Sequence, residues 1–179
     1  MLPLKIGIIL GSMREGRVSP HIGNWVYDKV KDTEGLTFEI VDIKAFNLPF
    51  LGTVSESSNI DKWQAKLAEF DGFIFITSEY NHSISGALKN AIDLVKDEWQ
   101  DKVAGIVSYG SAGGARAAEH LRNILAELQV ATVRSHVLLS LFDDFENFSD
   151  LTPRDLHDDN IKAQLMQLLK WGTAFKSIK

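Results

Sequence analysis

The chain has 179 residues, of which 45% are hydrophobic and 24% charged, and this length and composition predict one globular domain over residues 1–179. It has no cysteine, which excludes disulfides, thiolate metal sites, iron–sulfur clusters and a cysteine nucleophile of the phosphatase type. The net charge of −5 provides no basic field for nucleic acid, and neither a secretion signal nor an apolar run of membrane-spanning length is visible, so we expect a cytoplasmic protein.

Short apolar runs alternate with amphipathic stretches along the whole chain. Residues 4–10 predict a buried strand, because an apolar run of this length that ends in glycine is too short for a helix. Further strands are predicted over 37–43, 72–77, 102–108 and within 130–139, and helices over 20–31, 61–70, 86–96, 115–128 and 158–175. Residues 44–59 predict a loop. This alternation is typical of an α/β protein whose parallel sheet has helices on both faces.

The segment after the first strand, residues 11–19, combines two hydroxyls (Ser12 and Ser19) with two guanidinium groups (Arg14 and Arg17). It immediately precedes a predicted helix, and the N-terminus of a helix carries free N–H groups and a partial positive charge. In open parallel sheets, ligands bind at the carboxyl ends of the strands. The segment therefore predicts a phosphate-binding site, and the alternative is a Gly-Ser turn with solvated arginines.

Two known phosphate-binding motifs fail in this segment. The P-loop requires lysine and a hydroxyl residue where this chain has Arg17 and Val18. A bulky guanidinium does not replace the lysine in that tight loop. The dinucleotide fingerprint requires glycine where this chain has Met13.

The loops after the third and fourth strands, 78–83 and 108–114, offer groups suited to a flat ligand. The first supplies a carboxylate, an aromatic ring and an amide, on Glu79, Tyr80 and Asn81. The second is rich in small residues that allow a ligand close to the backbone: Ser108, Tyr109, Gly110 and Gly113. The alternative for the second loop is a flexible turn before a helix.

Other polar residues receive structural interpretations. His82 is expected at the rim of the loop rather than in acid–base chemistry, and Ser85 is expected to cap the next helix. Trp25 and Trp171 are expected in the core. The acidic residues between 143 and 150 lack strict ligand spacing, so a solvated loop is favoured over a metal site, and no metal site is predicted.

These segments together resemble the NAD(P)H-dependent FMN reductases of the flavodoxin-like fold, a group that includes quinone, azo-dye and chromate reductases. The resemblance covers nearly the whole chain and rests on Gly-Ser-x-Arg at 11–14, on residues 79–93 and on residues 108–114. It implies a three-layer sandwich with a five-stranded parallel sheet in the order 2-1-3-4-5. Ser78 and Ser85 stand where this family usually has proline, and we expect Ser78 to loosen the backbone beside the ring.

The resemblance also assigns the candidate residues to parts of FMN. The phosphate is expected against Ser12, Arg14, Arg17 and Ser19. The ring is expected against Glu79, Tyr80, Asn81, Ser108 and Gly110, and the set of cofactor-binding candidates also includes Ser78, Tyr109 and Gly113. No catalytic residue is assigned, because hydride transfer to a flavin needs no protein acid.

The implied activity is hydride transfer from NADPH or NADH to bound FMN, and from there to a quinone, an azo compound, a metal oxyanion or free flavin. The flavin performs the redox chemistry, and the protein binds, orients and tunes it. A flavodoxin-like electron carrier and an FMN-binding sensor without turnover stay open as alternatives. The charge of −5 is modest beside the acidic docking surface that such carriers use.

A homodimer or a dimer of dimers is a further implication of the resemblance. The helix predicted over 86–96 and the segment that follows it carry more apolar residues than one stripe needs: Leu88, Ile92, Leu94, Val95 and Trp99. A surplus of this kind predicts a partner surface beside the ring-binding loop, where a two-fold contact would help to form the substrate pocket.

Overall fold

A computed structural model describes residues 3–54 and 56–178 of the chain. The sheet contains β1 (Leu4–Leu10), β2 (Leu36–Asp42), β3 (Gly72–Ser78), β4 (Lys102–Gly110), β5 (Val130–Thr132) and β6 (Val137–Ser140). The helices are α1 (Ser19–Val30), α2 (Ser58–Ala68), α3 (Gly86–Asp93), α4 (Ala115–Glu127) and α5 (Leu156–Ser177). A 3-10 helix, Ile43–Phe46, lies in the predicted loop, and a hairpin of β7 (Phe145–Glu146) and β8 (Asp150–Leu151) was not predicted.

The strand order is β2-β1-β3-β4-β5, and every pair in this sheet is parallel, so the predicted flavodoxin-like order is confirmed. Successive strand residues point to opposite faces. Ile8 and Ile74 accordingly pack with α1 and α5 on one face, and Ile9 and Phe75 pack with α2, α3 and α4 on the other. This arrangement places the carboxyl ends of β1, β3 and β4 side by side at one edge of the sheet.

The predicted fifth strand is interrupted. β5 and β6 both pair with β4, but residues 133–136 between them leave the ladder. The buried side chain of Gln164 in α5 donates to the carbonyls of Ile106 and Ser135, at 2.9 Å each. A Cβ on Gly105 would come within 2.6 Å of that side chain, so the glycine makes room for it. Gln164 thus satisfies backbone groups that a continuous strand would have paired.

The expected partner surface on the third helix is not supported. Leu88, Ile92 and Trp99 are buried in the core of the same chain, with at most 1% of each exposed. The helix also ends at Asp93, earlier than predicted. The apolar surplus therefore belongs to the core and gives no evidence for a partner.

Two predictions about single side chains are wrong. Trp171 is 42% exposed on α5, not in the core, whereas Trp25 is partly buried against the core. Asp144, expected in a solvated loop, is fully buried and bonded to Arg154 and His157. Among the residues that the structure describes, no three histidines or carboxylates are arranged to hold a metal ion.

None of the helices in the described ranges is both long enough and apolar enough to cross a membrane.

Candidate functional site

A cavity of about 230 Å³ opens at the carboxyl ends of β1, β3 and β4. It is lined by Ser12, Arg14, Arg17, Val18, Ser78, Glu79, Tyr80, Tyr109, Gly110, Leu141 and Phe148. The three loops singled out in the sequence therefore meet at one cavity. Four of the predicted residues do not line it: Ser19, Asn81, Ser108 and Gly113.

The start of α1 reaches this cavity through Val18, which is the N-cap residue. Within the described ranges no side chain caps this helix, and its first turn contains no acidic residue. By contrast, the hydroxyl of Ser85 caps α3 by accepting the N–H of Leu88 at 3.1 Å, as predicted. The uncapped N-terminal amides of α1 leave a positive helix end available to an anion.

The two arginines of the first loop have different surroundings. Arg17 forms a bidentate ion pair with Asp42 at the end of β2, and it also donates to the carbonyl of Ser12. Burial alone would raise the pKa of Asp42, but the hydrogen bond from Arg17, the N–H of Lys44 and the positive charges of both residues together lower it. Arg14 is exposed, lines the cavity and makes no ion pair with the described residues. Arg14 is therefore the cation available to a ligand.

Several hydroxyl groups cluster beneath the first loop. The hydroxyls of Ser12, Ser19 and Ser78 lie near the phenol of Tyr109, whose pKa is raised by burial. Ser19 Oγ and Ser78 Oγ are buried and have no hydrogen-bond partner in the described part of the chain. Of these two residues only Ser78 lines the cavity, so its hydroxyl is the one that can donate to a ligand there.

The loop after β3 forms a tight turn. The backbone groups of Tyr80 and Ser83 exchange hydrogen bonds at 2.8 and 2.9 Å, and Asn81 and His82 between them have positive φ angles of 47° and 68°. This turn leaves the Tyr80 ring 42% exposed at the rim of the cavity and places Asn81 at the tip, outside it. The N–H of Tyr80 is bonded within the turn and is not available to a ligand.

Glu79 connects this loop to α4. Its carboxylate is almost fully buried and accepts hydrogen bonds from the N–H of Arg116 at 3.1 Å and of Ala117 at 3.4 Å. Burial would raise the pKa of Glu79, but the hydrogen bonds from Arg116 lower it overall. The carboxylate therefore acts as the cap of α4, a role that the sequence analysis did not assign.

Two further serine contacts hold the loops around the cavity together. The hydroxyl of Ser108 donates to the carbonyl of Gly113 at 2.8 Å and closes the loop after β4. The hydroxyl of Ser85 donates to the carbonyl of Gly11 at 2.6 Å and joins the first loop to the start of α3. Ser108 and Gly113 thus shape the site from behind, without lining the cavity.

The sequence analysis missed several residues of the site. Asp42 and Arg116 are the ion-pair partners of Arg17 and Glu79, and no local pattern indicates such distant pairs. Leu141 and Phe148 line the cavity from the segment after β6. Phe148 was visible as an aromatic residue in a polar, acidic stretch, a signal that the analysis did not use.

A sequence profile of the NADPH-dependent FMN reductase family matches residues 4–144. The chain is 33% identical over 175 residues to the NAD(P)H-dependent FMN reductase ntnL of Nectria sp, covering 89% of this chain and 86% of that protein. It is 38% identical over 131 residues to the NAD(P)H:quinone oxidoreductase of Solanum tuberosum, covering 68% of this chain and 66% of that protein.

Solved structures agree with the fold. The flavoenzyme NAD(P)H:(acceptor) oxidoreductase FerB of Paracoccus denitrificans superposes with a TM-score of 0.78 at 18% identity, covering 96% of this chain and 98% of that one. A short-chain flavodoxin superposes with a TM-score of 0.62 at 13% identity, covering 96% and 99%. At such identities the structural likeness supports the fold alone, and the sequence matches decide the family. The chain belongs to the NADPH-dependent FMN reductase family.

Proposed function

We propose that this protein passes hydride from NADPH or NADH, through bound FMN, to a quinone. Membership of the family makes the protein an oxidoreductase with FMN as cofactor and NAD(P)H as electron donor. The choice of quinone as acceptor is our proposal. The observation that carries it is the combination of an anion-binding end and an apolar mouth in one cavity.

The anion-binding end fits the phosphate of FMN. The uncapped start of α1 offers backbone N–H groups, and Arg14 offers a positive charge without an ion-pair partner in the described ranges. Ser12 and Ser78 add side-chain hydroxyls to the wall of the same cavity. These donors match the acceptor oxygens of a phosphate group and its sugar chain. We therefore assign Ser12 and Arg14 to the phosphate end, with Arg17 holding the loop in shape and the fully buried Ser19 outside the cavity lining.

The part of the cavity lined by Tyr80 and Gly110 fits a flat ring. Tyr80 presents an aromatic side chain at the rim, and Gly110 keeps the adjacent wall free of a side chain. A Cβ on Gly110 would meet the Cβ of Glu79 at 3.1 Å, so glycine also allows the ends of β3 and β4 to lie close together. FMN, when bound, supplies the group that accepts and releases hydride. The residues of this chain orient it and limit the access of water.

The mouth of the cavity favours an apolar, planar acceptor. Leu141 and Phe148 are apolar lining residues, and Phe148 is 62% exposed, so its ring lies where the cavity opens to solvent. Relatives named as quinone reductases include the NADPH:quinone oxidoreductase of Arabidopsis thaliana, 30% identical over 183 residues, and a 2-hydroxy-1,4-benzoquinone reductase of Burkholderia sp, 29% identical over 137 residues. These names and the apolar mouth support quinone over a metal oxyanion, which would need additional positive charge.

The test is steady-state oxidation of NADPH by the FMN-loaded protein with separate acceptors: menadione, an azo dye, chromate and free FMN. We expect the highest kcat/KM with menadione. A higher value with chromate or free FMN would contradict the proposed acceptor, and FMN uptake without turnover by any acceptor would favour the electron-carrier alternative. A matched R134A variant, at an exposed arginine outside this cavity, controls for general effects of removing a charge.

We also infer that the chain forms a homodimer, through a surface other than the one expected on the third helix. Phe50 and Leu51, in the loop before α2, are 72% and 59% exposed. Asn90 of α3 holds this loop by accepting the N–H of Leu51 at 2.9 Å and donating to the carbonyl of Pro49 at 2.9 Å. Large apolar side chains fixed in an exposed position favour a protein contact. Sedimentation should show a dimer that an F50E/L51E variant converts to monomer, and an unchanged mass would refute this surface.

A further inference from the structure

The hairpin of β7 and β8 has a tight turn in which the backbone conformation at two positions favours glycine. The N–H of Ser149 donates to the carbonyl of Glu146 at 3.1 Å, and the two residues between them, Asn147 and Phe148, have φ angles of 51° and 59°. Positive φ at both central positions is the signature of a type I′ turn, in which asparagine and glycine are preferred. Asn147 suits its position. Phe148 does not, because a bulky side chain clashes with the backbone in the left-handed region.

Phe148 is also unfavourably exposed. Its side chain is 62% exposed, although it makes an edge-to-face contact with Phe142 at 5.8 Å between ring centroids. Phe142 is itself 67% exposed, so this pair buries little apolar surface. Neither the conformation nor the environment of Phe148 stabilises the fold. Strained, exposed residues of this kind are concentrated where ligands bind.

The base of the hairpin is held firmly. Asp144 is fully buried and accepts hydrogen bonds from the N–H of Ser140 at 2.8 Å, the N–H of Arg154 at 3.0 Å and the imidazole of His157 at 3.0 Å. The N–H of Thr152 donates to the carbonyl of Asp144 at 2.9 Å. These bonds fix both ends of the segment that carries the turn. The hairpin that carries Phe148 is therefore anchored at its base beside the cavity rather than left as a loose loop.

The cavity that Phe148 lines has both polar and apolar lining residues. The polar groups of Ser12, Ser78 and Tyr109 line the inner wall, which suits the phosphate and the polar edge of a flavin. Phe148, which is 62% exposed, and the half-buried Leu141 supply apolar lining. Because the ring of Phe148 is exposed to solvent beside the cavity, it is accessible to a second ligand that enters after the cofactor. An aromatic ring at this point favours a second ligand with an aromatic ring, through offset or edge-to-face contact.

We propose that Phe148 is a specificity-determining residue whose ring contacts the face of a planar, quinone-type electron acceptor at the mouth of the cavity. The proposal rests on the proposed function, because it names the residue that selects the acceptor at that site. It requires no proton or electron transfer by Phe148. The residue lowers the KM for aromatic acceptors and has no effect on small inorganic ones.

The decisive variant is F148G, because glycine removes the ring and at the same time relieves the unfavourable backbone conformation. We expect an unchanged or higher Tm and FMN affinity within about twofold of the original protein. The KM for menadione should rise roughly three- to tenfold, the range expected for loss of one aromatic contact, and clearly more than the KM for ferricyanide. N147G is the matched control, since it alters the same turn and keeps the ring, and its KM for menadione should not change.

Binding measured without turnover separates this proposal from the proposed function. Equilibrium dialysis of 1,4-naphthoquinone against the FMN-loaded protein should show the same three- to tenfold loss in F148G. Equal binding by both proteins, or no binding by the original protein, would overturn the role of Phe148 whatever the turnover assays show. Parallel losses with menadione and ferricyanide would also overturn it, because they would indicate a general disturbance of the site. Weaker quinone binding in F148G, in a protein that does not reduce quinones, would support the contact and contradict the proposed activity.

Discussion

The guanidinium of Arg17 forms a bidentate ion pair with the carboxylate of Asp42, and this contact ties the loop after β1 to the end of β2. The hydrogen bond to Asp42 raises the pKa of Arg17, and the guanidinium also donates to the carbonyl of Ser12. The charge of Arg17 is thus already balanced inside the protein. Arg14, which makes no ion pair among the described residues, is left to bind an anion.

Replacing Arg14 by alanine should weaken FMN binding about 10- to 100-fold, because a charge-assisted hydrogen bond contributes roughly 1.5–3 kcal/mol. The Tm of the apoprotein should not change, since Arg14 is exposed. Fluorescence titration of FMN gives the affinity. R134A, at another exposed arginine, should bind FMN normally. FMN affinity that is unchanged in R14A would refute the assignment of the phosphate to this residue.

Replacing Arg17 by alanine should affect the stability of the protein more than its affinity for FMN. It should lower the free energy of unfolding of the apoprotein by about 1 kcal/mol, a modest value because the pair is partly exposed and screened by solvent. The effect on FMN should be indirect and smaller than that of R14A. Urea unfolding of the apoprotein measures the stability. If R17A weakens FMN binding more than R14A does and leaves stability unchanged, the two roles are reversed.

Much of the fold was predictable because its signals are local. The strands are unbroken apolar runs such as residues 72–77, and the helices between them have regular apolar periods. The cap formed by Ser85 was also predictable, because a serine immediately before a helix accepts a nearby N–H. The positions of the three cavity loops followed from the alternation of strands and helices alone.

The missed features depend on residues far apart in the sequence. The break between β5 and β6 requires Gln164, which comes from α5 and satisfies the carbonyl of Ile106. The carboxylate of Glu79 was expected to face a ring, but Arg116 and the start of α4 bind it. Trp171 was expected in the core because it lies in an apolar stretch, and α5 leaves it on the outer side. In each case tertiary packing decided between partners that no local pattern distinguishes.

The variant S85A should lower both stability and FMN affinity. Ser85 caps α3 and also donates to the carbonyl of Gly11 at 2.6 Å, so its loss frees the first loop as well as the helix end. We expect a loss of about 1–2 kcal/mol in the free energy of unfolding and a measurable rise in the Kd for FMN. S57A removes the cap of α2 away from the cavity and is the matched control. S57A should lower stability without altering FMN affinity. If S85A and S57A change the Kd for FMN equally, the hydrogen bond from Ser85 to Gly11 does not support FMN binding.

The stability contributed by Asp144 should depend on pH. Burial raises the pKa of Asp144, but the hydrogen bonds from Arg154 and from the N–H of Ser140, together with the nearby His157, lower it to about 2. Because the pKa is lower in the folded protein than in the unfolded chain, where it is about 4, the ionised carboxylate stabilises the fold above pH 4. This contribution, about 2 kcal/mol, is lost as the pH falls from 4 to 2.

Urea unfolding of the original protein and of D144N, at pH values from 7 down to 3, tests this dependence. The difference in free energy of unfolding between the two should be largest at pH 7 and should shrink below pH 4. A difference that stays constant over this range would show that Asp144 acts through shape and hydrogen bonding and not through its charge. E146Q, at an exposed carboxylate in the same segment, should show no such dependence.

Tyr80 should matter for the cofactor and for turnover but little for stability. Its ring is 42% exposed at the rim of the cavity, and its loop is held by backbone hydrogen bonds to Ser83 that do not involve the side chain. Y80A should therefore raise the Kd for FMN or lower kcat/KM up to about tenfold, the range of one aromatic contact, with a Tm within a few degrees of the original. Y80F keeps the ring and should behave like the original protein in both assays. A large loss of Tm in Y80A, with normal FMN affinity and kinetics, would instead show that the ring supports the turn and has no part in binding the flavin.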